Sequence, residues 1–327
     1  MYRYLLRRLL NYLVLLVIAV SLAYLLAAAS MDPRSVFDYT NPNLDRDSIE
    51  SMLTQYNLNP ETPILERYWI WLTSILTEWD WGRTPNGDYV NSLLGIRIGV
   101  SVRLITLGSF VGIIGGVALG AWTATRQHKL SDRVISLLCL LIISTPTIVL
   151  ATVLQVLATK YNQATGTSFF EFIGETGTTG NYPGGELVDR LQHLLLPTIS
   201  MSLGGIATYS RYQRNLMLDT LGADYVRTAR AKGLTKGQAV RKHALRTALV
   251  PMATYFAFVI AGLFTGATIT EQIYGWHGMG EYSVTSITGQ DINGTAAVVA
   301  FSAACTFCGL ILADVFTVVV DPRVRVS

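Results

Sequence analysis

Six stretches of this chain contain no Asp, Glu, Lys or Arg: residues 9–31, 104–125, 134–159, 194–210, 247–270 and 295–313. A helix needs about 20 residues to cross a hydrocarbon core of about 30 Å, with a working range of about 17–25. Each stretch falls in or beside that range, although 194–210 is short and contains Pro197. Charged residues make up only 14% of the chain, against roughly 25% in soluble proteins. The expectation is an all-α integral membrane protein with six transmembrane helices. A cleaved leader is the alternative for the first stretch, because Arg3, Arg7 and Arg8 precede it and "AAAS" ends it. Its apolar run exceeds the 7–15 residues usual in such leaders, which favours an anchor.

Charge is distributed unevenly between the pieces that join these spans. With the N-terminus inside, residues 1–8, 126–133, 211–246 and 321–327 hold 17 of the 25 Lys and Arg. The opposite side holds 17 of the 22 acids. That bias places both termini in the cytoplasm of a multi-pass cell-membrane protein, with lipid as a partner. The organisation that follows is a short cytoplasmic start and first span at 1–31 and an external segment at 32–103. A core of five further spans occupies 104–320, and a cytoplasmic tail 321–327.

Within the external segment, Ile64, Leu65, Tyr68, Trp69, Leu72, Ile75 and Leu76 recur at helical spacing, an amphipathic helix. Trp69, Trp71, Trp79 and Trp81 cluster there, as indole does where one end is apolar and the other wet. Such a helix can rest on the outer membrane face or receive an external partner. In the second span Gly108, Gly112, Gly116 and Gly120 recur every four residues and make a stripe without side chains, and Gly262 and Gly266 repeat the device in the fifth. Helices in lipid use such stripes to bring backbones together for dispersion contacts.

Several chemistries find no support. Proton- or sodium-driven carriers bury acids at mid-depth, whereas Arg97, Arg103, Arg211 and Glu271 lie at span edges and Asp314 close to one. Cys139, Cys305 and Cys308 all fall inside spans and read as small apolar residues. His128, His193, His243 and His277 are scattered, with no HExxH or GxSxG pattern, so each reads as structural and no metal site is expected.

One passage stands apart. Residues 224–251, "DYVRTARAKGLTKGQAVRKHALRTALVP", carry seven cations and a single acid between two oily spans. A general positive-inside bias, an anionic lipid or nucleic-acid patch, and docking of a cytoplasmic protein compete to explain it. The form favours docking. A first helix stops at Gly233 with Arg230 and Lys232 in its last turn, and a second starts after Thr235, a natural cap. Ala229 and Gly233 leave little side chain at the elbow, so that another surface can approach. Residues suited to base contact are missing, and no nucleic acid is expected as a partner.

These residues resemble the cytoplasmic loop of ATP-binding-cassette importer permeases, in the dipeptide/oligopeptide/nickel permease family and its branch of B-type oligopeptide subunits. "YVRTARAKGL" (225–234) and "HALRTAL" with Pro251 carry the likeness. So do "WDWGRT" (79–84), "STP" (144–146), "HLLLPTISMSL" with "YSRYQRNLMLD" (193–219), "TEQIYGWHGMGEYSV" (270–284) and "DVFTVVVDPRVR" (314–325). His277 stands where Pro is common and Thr247 where Asn is common. The general "EAA" triplet of importer permeases reads Arg227, Thr228 and Ala229.

The resemblance implies a type I importer permease fold with a helix-turn-helix coupling loop at about 220–247. It implies a heterodimer with a second homologous permease, two ATPase subunits or one fused ATPase, and an extracytoplasmic solute-binding lipoprotein. Asp224, Arg227, Ala229, Arg230, Lys232, Gly233 and Arg246 would form the ATPase contact. Tyr274, Gly275, Trp276, Gly278 and Gly280 would meet the binding protein. The chain would not be an enzyme and would bind no cofactor directly. It lacks a G-x-x-x-x-G-K-[S/T] phosphate loop, so ATP and Mg would belong to the partner subunits. Peptides are the cargo most common in the family, with nickel chelates and other small solutes as alternatives, and an ion-coupled carrier as a reading from another class.

Overall fold

A computed structural model describes residues 2–39, 45–177 and 185–320. Among them the backbone is helical apart from connecting segments and one isolated bridge between Arg83 and Tyr89. The helices are α1 (Tyr2–Ser30), α2 (Arg46–Gln55), α3 (Ile64–Glu78), α4 (Val90–Thr125), α5 (Leu130–Ser144), α6 (Thr147–Thr165) and α7 (Gly185–Leu221). They continue with α8 (Asp224–Ala231), α9 (Lys236–Ala239), α10 (Leu245–Tyr274), α11 (Met279–Thr288) and α12 (Ile292–Val320). The segments Arg7–Ser30, Val90–Thr125 and Ile292–Phe316 are long and apolar enough to cross a bilayer, and α5 with α6 counts as a fourth if that bent pair is one span.

That pair shows that the stretch at 134–159 is not one continuous helix. α5 and α6 meet at 108°. Pro146 has no N–H to continue α5 and pushes the preceding residue out of the helical region. Thr145 accordingly adopts φ −94°, ψ 127° and ends α5, while Pro146 precedes the first turn of α6. By contrast, Pro197 and Pro251 sit inside continuous helices, so the short fourth stretch is embedded in the 37 residues of α7.

The chain divides into two compact units. One comprises residues 2–102 and 277–307. Here α3 lies along α1 through its Tyr68 and Trp71 side: Tyr68 donates to Ser21 Oγ at 2.7 Å, and Tyr24 stacks on Trp71 with centroids 4.4 Å apart. Trp81 meets Trp71 edge-on. The seven apolar positions of α3 therefore do not form one lipid-facing side. Tyr68 turns towards α1, while Leu65, Trp69 and Leu76 remain exposed with Trp79. Arg67 is buried, which periodicity did not foresee. Nearby, Arg97 pairs with Glu281 at 2.6 Å and lies over the Tyr282 ring, and the Ser101 hydroxyl accepts from the Met279 N–H.

The other unit comprises residues 103–276 and 308–320. The stripe of α4 runs against α7 there. A methyl at Gly112 would make ordinary contacts with Gly205, Ser202 and Tyr209, whereas one at Gly120 would collide with the α7 backbone. Gly262 and Gly266 lie on α10, but their surroundings fall outside the described residues. Tyr209 of α7 packs against Met252 and Phe256 of α10. Cys139, Cys305 and Cys308 form no disulfide with one another.

Candidate functional site: a basic elbow between α7 and α10

The basic passage folds as two short helices joined by a tight turn, and local chemistry accounts for each joint. α8 ends in a double hydrogen bond: the Gly233 N–H reaches the Arg230 carbonyl at 3.0 Å and the Leu234 N–H reaches the Ala229 carbonyl at 3.3 Å. This arrangement uses up two end carbonyls and needs a left-handed residue between its partners. Gly233 supplies it at φ +95°. Two residues on, Thr235 accepts from the Gln238 N–H while the Gln238 side chain accepts from the Thr235 N–H, a reciprocal cap that starts α9. α9 passes through a wide π turn at Val240–Ala244 directly into α10.

The inner face of this elbow is apolar and small. Val226, Ala229, Ala239, Ala244 and Ala248 are buried together with Met217 of α7 and Ala124 of α4, and Leu234 packs against them. Ala229 therefore serves the elbow's own packing and does not lie on the outside, where its sequence position had suggested an approaching surface. Its neighbours in the expected contact set lie outward: Asp224, Arg227, Arg230, Lys232, Gly233 and Arg246 are exposed. An added Cβ at Gly233 would meet no atom within 4 Å. The outer face is thus an open, basic ridge. Arg227 and Asp224 approach only to 3.9 Å across water-exposed side chains, a contact worth little.

Beneath the elbow lies an anchor that sequence reasoning missed. Asp132, in the first turn of α5, takes a two-pronged bond from Arg214 of α7: Nε to Oδ1 at 2.7 Å and Nη2 to Oδ2 at 2.9 Å. Its Oδ2 also accepts from the His128 N–H at 3.2 Å. The Arg214 guanidinium holds the Asp132 carboxyl below its ordinary range, and Asp132 in turn raises Arg214. A signal did exist, because Asp132 is the lone acid among Arg126, Lys129 and Arg133 in its connecting piece.

The second expected surface comes out differently. Tyr274, Trp276, Gly278 and Gly280 are buried and Gly275 is half-buried. Gly275 ends α10 at φ +63°, and the Trp276 N–H returns to the Glu271 carbonyl at 2.8 Å. In this chain His277 is the exposed residue of the turn, three-quarters open and 3.2 Å from Glu281. Four of the five residues expected to greet an external protein are interior ones, since their aromatic rings and bare backbone are consumed by packing.

Residues 116–326 match the sequence profile described as "Binding-protein-dependent transport system inner membrane component". The chain belongs to that family. The matched region contains the elbow, the Asp132–Arg214 anchor and the turn at Gly275. Similarity to individual members extends over the full length. The "Oligopeptide transport system permease protein OppB" of Mycobacterium tuberculosis is 48% identical, with 100% of both chains covered. A "Putative peptide permease protein" of Brucella ovis is 32% identical over 100% of both. The "Dipeptide transport system permease protein DppB" of Lactococcus lactis is 30% identical over 99% of this chain and 100% of its own.

Proposed function

We propose that this chain is the membrane-embedded permease subunit of an ATP-binding-cassette importer for di- and oligopeptides. It would cross the membrane six times with both termini in the cytoplasm, α5 and α6 together forming a broken third span. It would form half of the translocation pathway beside a second, homologous permease. An external solute-binding protein delivers cargo, and ATPase subunits on the cytoplasmic side supply the energy and hold ATP and Mg. The chain itself is non-catalytic.

The observation that carries this reading is the two-sided build of the elbow. Its inner face is fastened to α4, α7 and α10 through a dense cluster of small side chains. Its outer face is left basic and uncovered, with a turn at Gly233 that presents only backbone. A lipid-binding patch needs cations but no such turn. A surface that must be gripped closely and pushed needs the bare turn, the charge for orientation and a rigid attachment behind it. The full-length similarity to named peptide permeases supports peptides over nickel chelates as cargo.

Reconstitution in vesicles with the partner subunits tests the assignment. Gly233→Asn tolerates the left-handed backbone and should assemble and transport. Gly233→Trp should remain in the membrane but lose peptide uptake while ATP hydrolysis continues. Uptake at the normal rate by Gly233→Trp, or peptide transport by the chain without ATPase subunits, would refute it.

A further inference from the structure

Outside the elbow, three ligand-type side chains converge where the sequence promised nothing: Glu171 in the segment after α6, and Asp189 and His193 one turn apart on α7. One ligand atom from each lies within 4.8 Å of the others. The His193 Nδ1 sits 2.9 Å from the main-chain carbonyl of Asp189, which can only accept, so Nδ1 donates and Nε2 keeps its lone pair on the side of Glu171. That is the orientation a metal-binding imidazole usually has, with its second nitrogen fixed by a carbonyl. The Nε2 lies 3.8 Å from Glu171 Oε2. This exceeds a hydrogen bond, but it is close to the spacing of two ligands on one ion with bonds of about 2.0–2.2 Å.

Two independent features show that this space is prepared for an occupant. Asp189 is 5% exposed, and its Oδ2 accepts from the Gly177 N–H at 2.8 Å, yet its Oδ1 has no hydrogen-bond partner among the described residues and only the His193 Nδ1, already committed to a carbonyl, 3.4 Å away. An unsatisfied carboxylate oxygen in the interior is costly. The second feature is Gly177 itself. A methyl there would lie 3.0 Å from Glu171 Oε2, 3.1 Å from Asp189 Oδ1 and 3.1 Å from His193 Cε1. The missing side chain thus leaves a cradle onto which all three groups face. Gly177 is exposed, so the cradle has an entrance. Two carboxylates facing one imidazole also leave excess negative charge that a cation would balance.

We propose that Glu171, Asp189 and His193 bind one divalent cation of the zinc class, with water completing a tetrahedral shell. The mixed oxygen and nitrogen donors suit such a borderline ion. Magnesium and calcium take oxygen ligands alone and in larger number. Occupancy would tie the segment after α6 to the first turns of α7. Histidine read from sequence as structural would then be a ligand.

The test uses the purified, tag-free full chain in detergent, stripped with chelator, and does not depend on transport. Zinc titration against a competing fluorescent chelator, with bound metal counted by mass spectrometry, should give one zinc per chain. Glu171→Gln and His193→Gln should each weaken binding at least tenfold. Gly177→Ala keeps every ligand but fills the cradle, and should do the same. Zinc should raise the melting temperature of the native chain but not of Glu171→Gln, whose side chain lies nearer the surface and whose loss threatens folding least. Failure to retain stoichiometric zinc would overturn the proposal, as would affinity unchanged by all three variants. An equal stabilisation by magnesium or calcium would refute the zinc-class assignment.

Discussion

The glycines of α4 share one sequence spacing, yet the structure gives them unequal neighbours, and alanine scanning should expose the difference. At Gly112 a new methyl would sit 3.6–3.7 Å from its nearest neighbours, an ordinary contact. Alanine is about 1 kcal/mol better than glycine in a helix, so Gly112→Ala should be neutral or stabilising by up to that amount. At Gly108 the methyl would press on Met201, 2.9 Å from Sδ and 3.1 Å from Cγ. A thioether can rotate away at a rotamer cost of about 1 kcal/mol, which roughly cancels the helix gain. At Gly120 the methyl would lie 2.5 Å from the Ser210 carbonyl oxygen, 2.9 Å from Gln213 Cβ and 3.0 Å from the Arg214 nitrogen. None of these atoms can turn aside, so α7 must retreat by about an ångström. Such a gap forfeits about a quarter to a half of each contact's dispersion energy. Overpacking of this kind typically costs about 1–3 kcal/mol.

The expected order of stability is therefore Gly112→Ala, then Gly108→Ala, then Gly120→Ala, with about 2 kcal/mol between the first and last. Heating the purified protein in detergent and measuring the surviving monodisperse fraction by size exclusion would rank the three. Indistinguishable melting points, or Gly112→Ala as the weakest, would refute the argument that backbone contact, and not the spacing itself, limits this interface.

Other consequences can be checked alongside it. Asp132→Asn should destabilise the chain by about 3 kcal/mol, because it strands a partly buried Arg214, and Arg214→Lys should recover little since an ammonium cannot bond both oxygens. Native stability conferred by this pair is present above the ordinary aspartate range and should be lost as pH falls through the lowered pKa of Asp132; urea melts from pH 6 to pH 3 would show it. Asp291 has the opposite sign. Burial pushes its carboxyl up to about 6, although the Gly294 N–H and the Tyr282 hydroxyl bond to it. Its ionised form therefore costs stability above pH 6, by at most roughly 3 kcal/mol, and Asp291→Asn should raise the melting temperature at pH 7.5 while leaving it unchanged at pH 4. A photo-crosslinker at His277 should capture an external solute-binding protein, whereas one at the buried Trp276 should label the chain itself; the reverse pattern would count against the exposed face of that turn.

Much of this architecture was readable from composition and spacing. Charge-free runs marked the long helices because burying a charge in hydrocarbon is prohibitive whatever the tertiary detail. The elbow was legible because Gly233 and Thr235 act locally: one supplies a left-handed turn, the other a cap. Pro146 breaks its helix just as locally, yet the charge-free run around it reads as one span, because Pro197 and Pro251, identical in sequence terms, stay inside continuous helices. What periodicity could not decide was which of two apolar sides a helix buries. On α3 the side bearing Tyr68 and Trp71 won because Tyr24 and Ser21 of α1 complement it. The Asp132–Arg214 pair joins residues 82 apart, and Glu171 reaches Asp189 and His193 from a separate segment, so local pattern could offer at most the one-turn spacing of the last two.

The inequality among the glycines also bears on how an elbow could transmit force. At Gly120 α4 closes directly on the α7 backbone, at the Ser210 carbonyl and the Arg214 nitrogen. Arg214 is also the residue clamped to Asp132 of α5. One turn further along α4, Ala124 joins the small-residue cluster that holds Val226, Ala229 and Ala248. Backbone contact, a two-pronged ion pair and dense alanine packing therefore coincide where α4, α5, α7 and α10 meet the elbow. Farther along α4, at Gly108, the same helix pair touches through a compliant methionine. A push on the ridge at Gly233 would thus be received by a stiff block and released into a softer interface beyond it. Loosening the block, as Gly120→Ala or Asp132→Asn would do, should dissipate the push without altering a single residue on the exposed ridge.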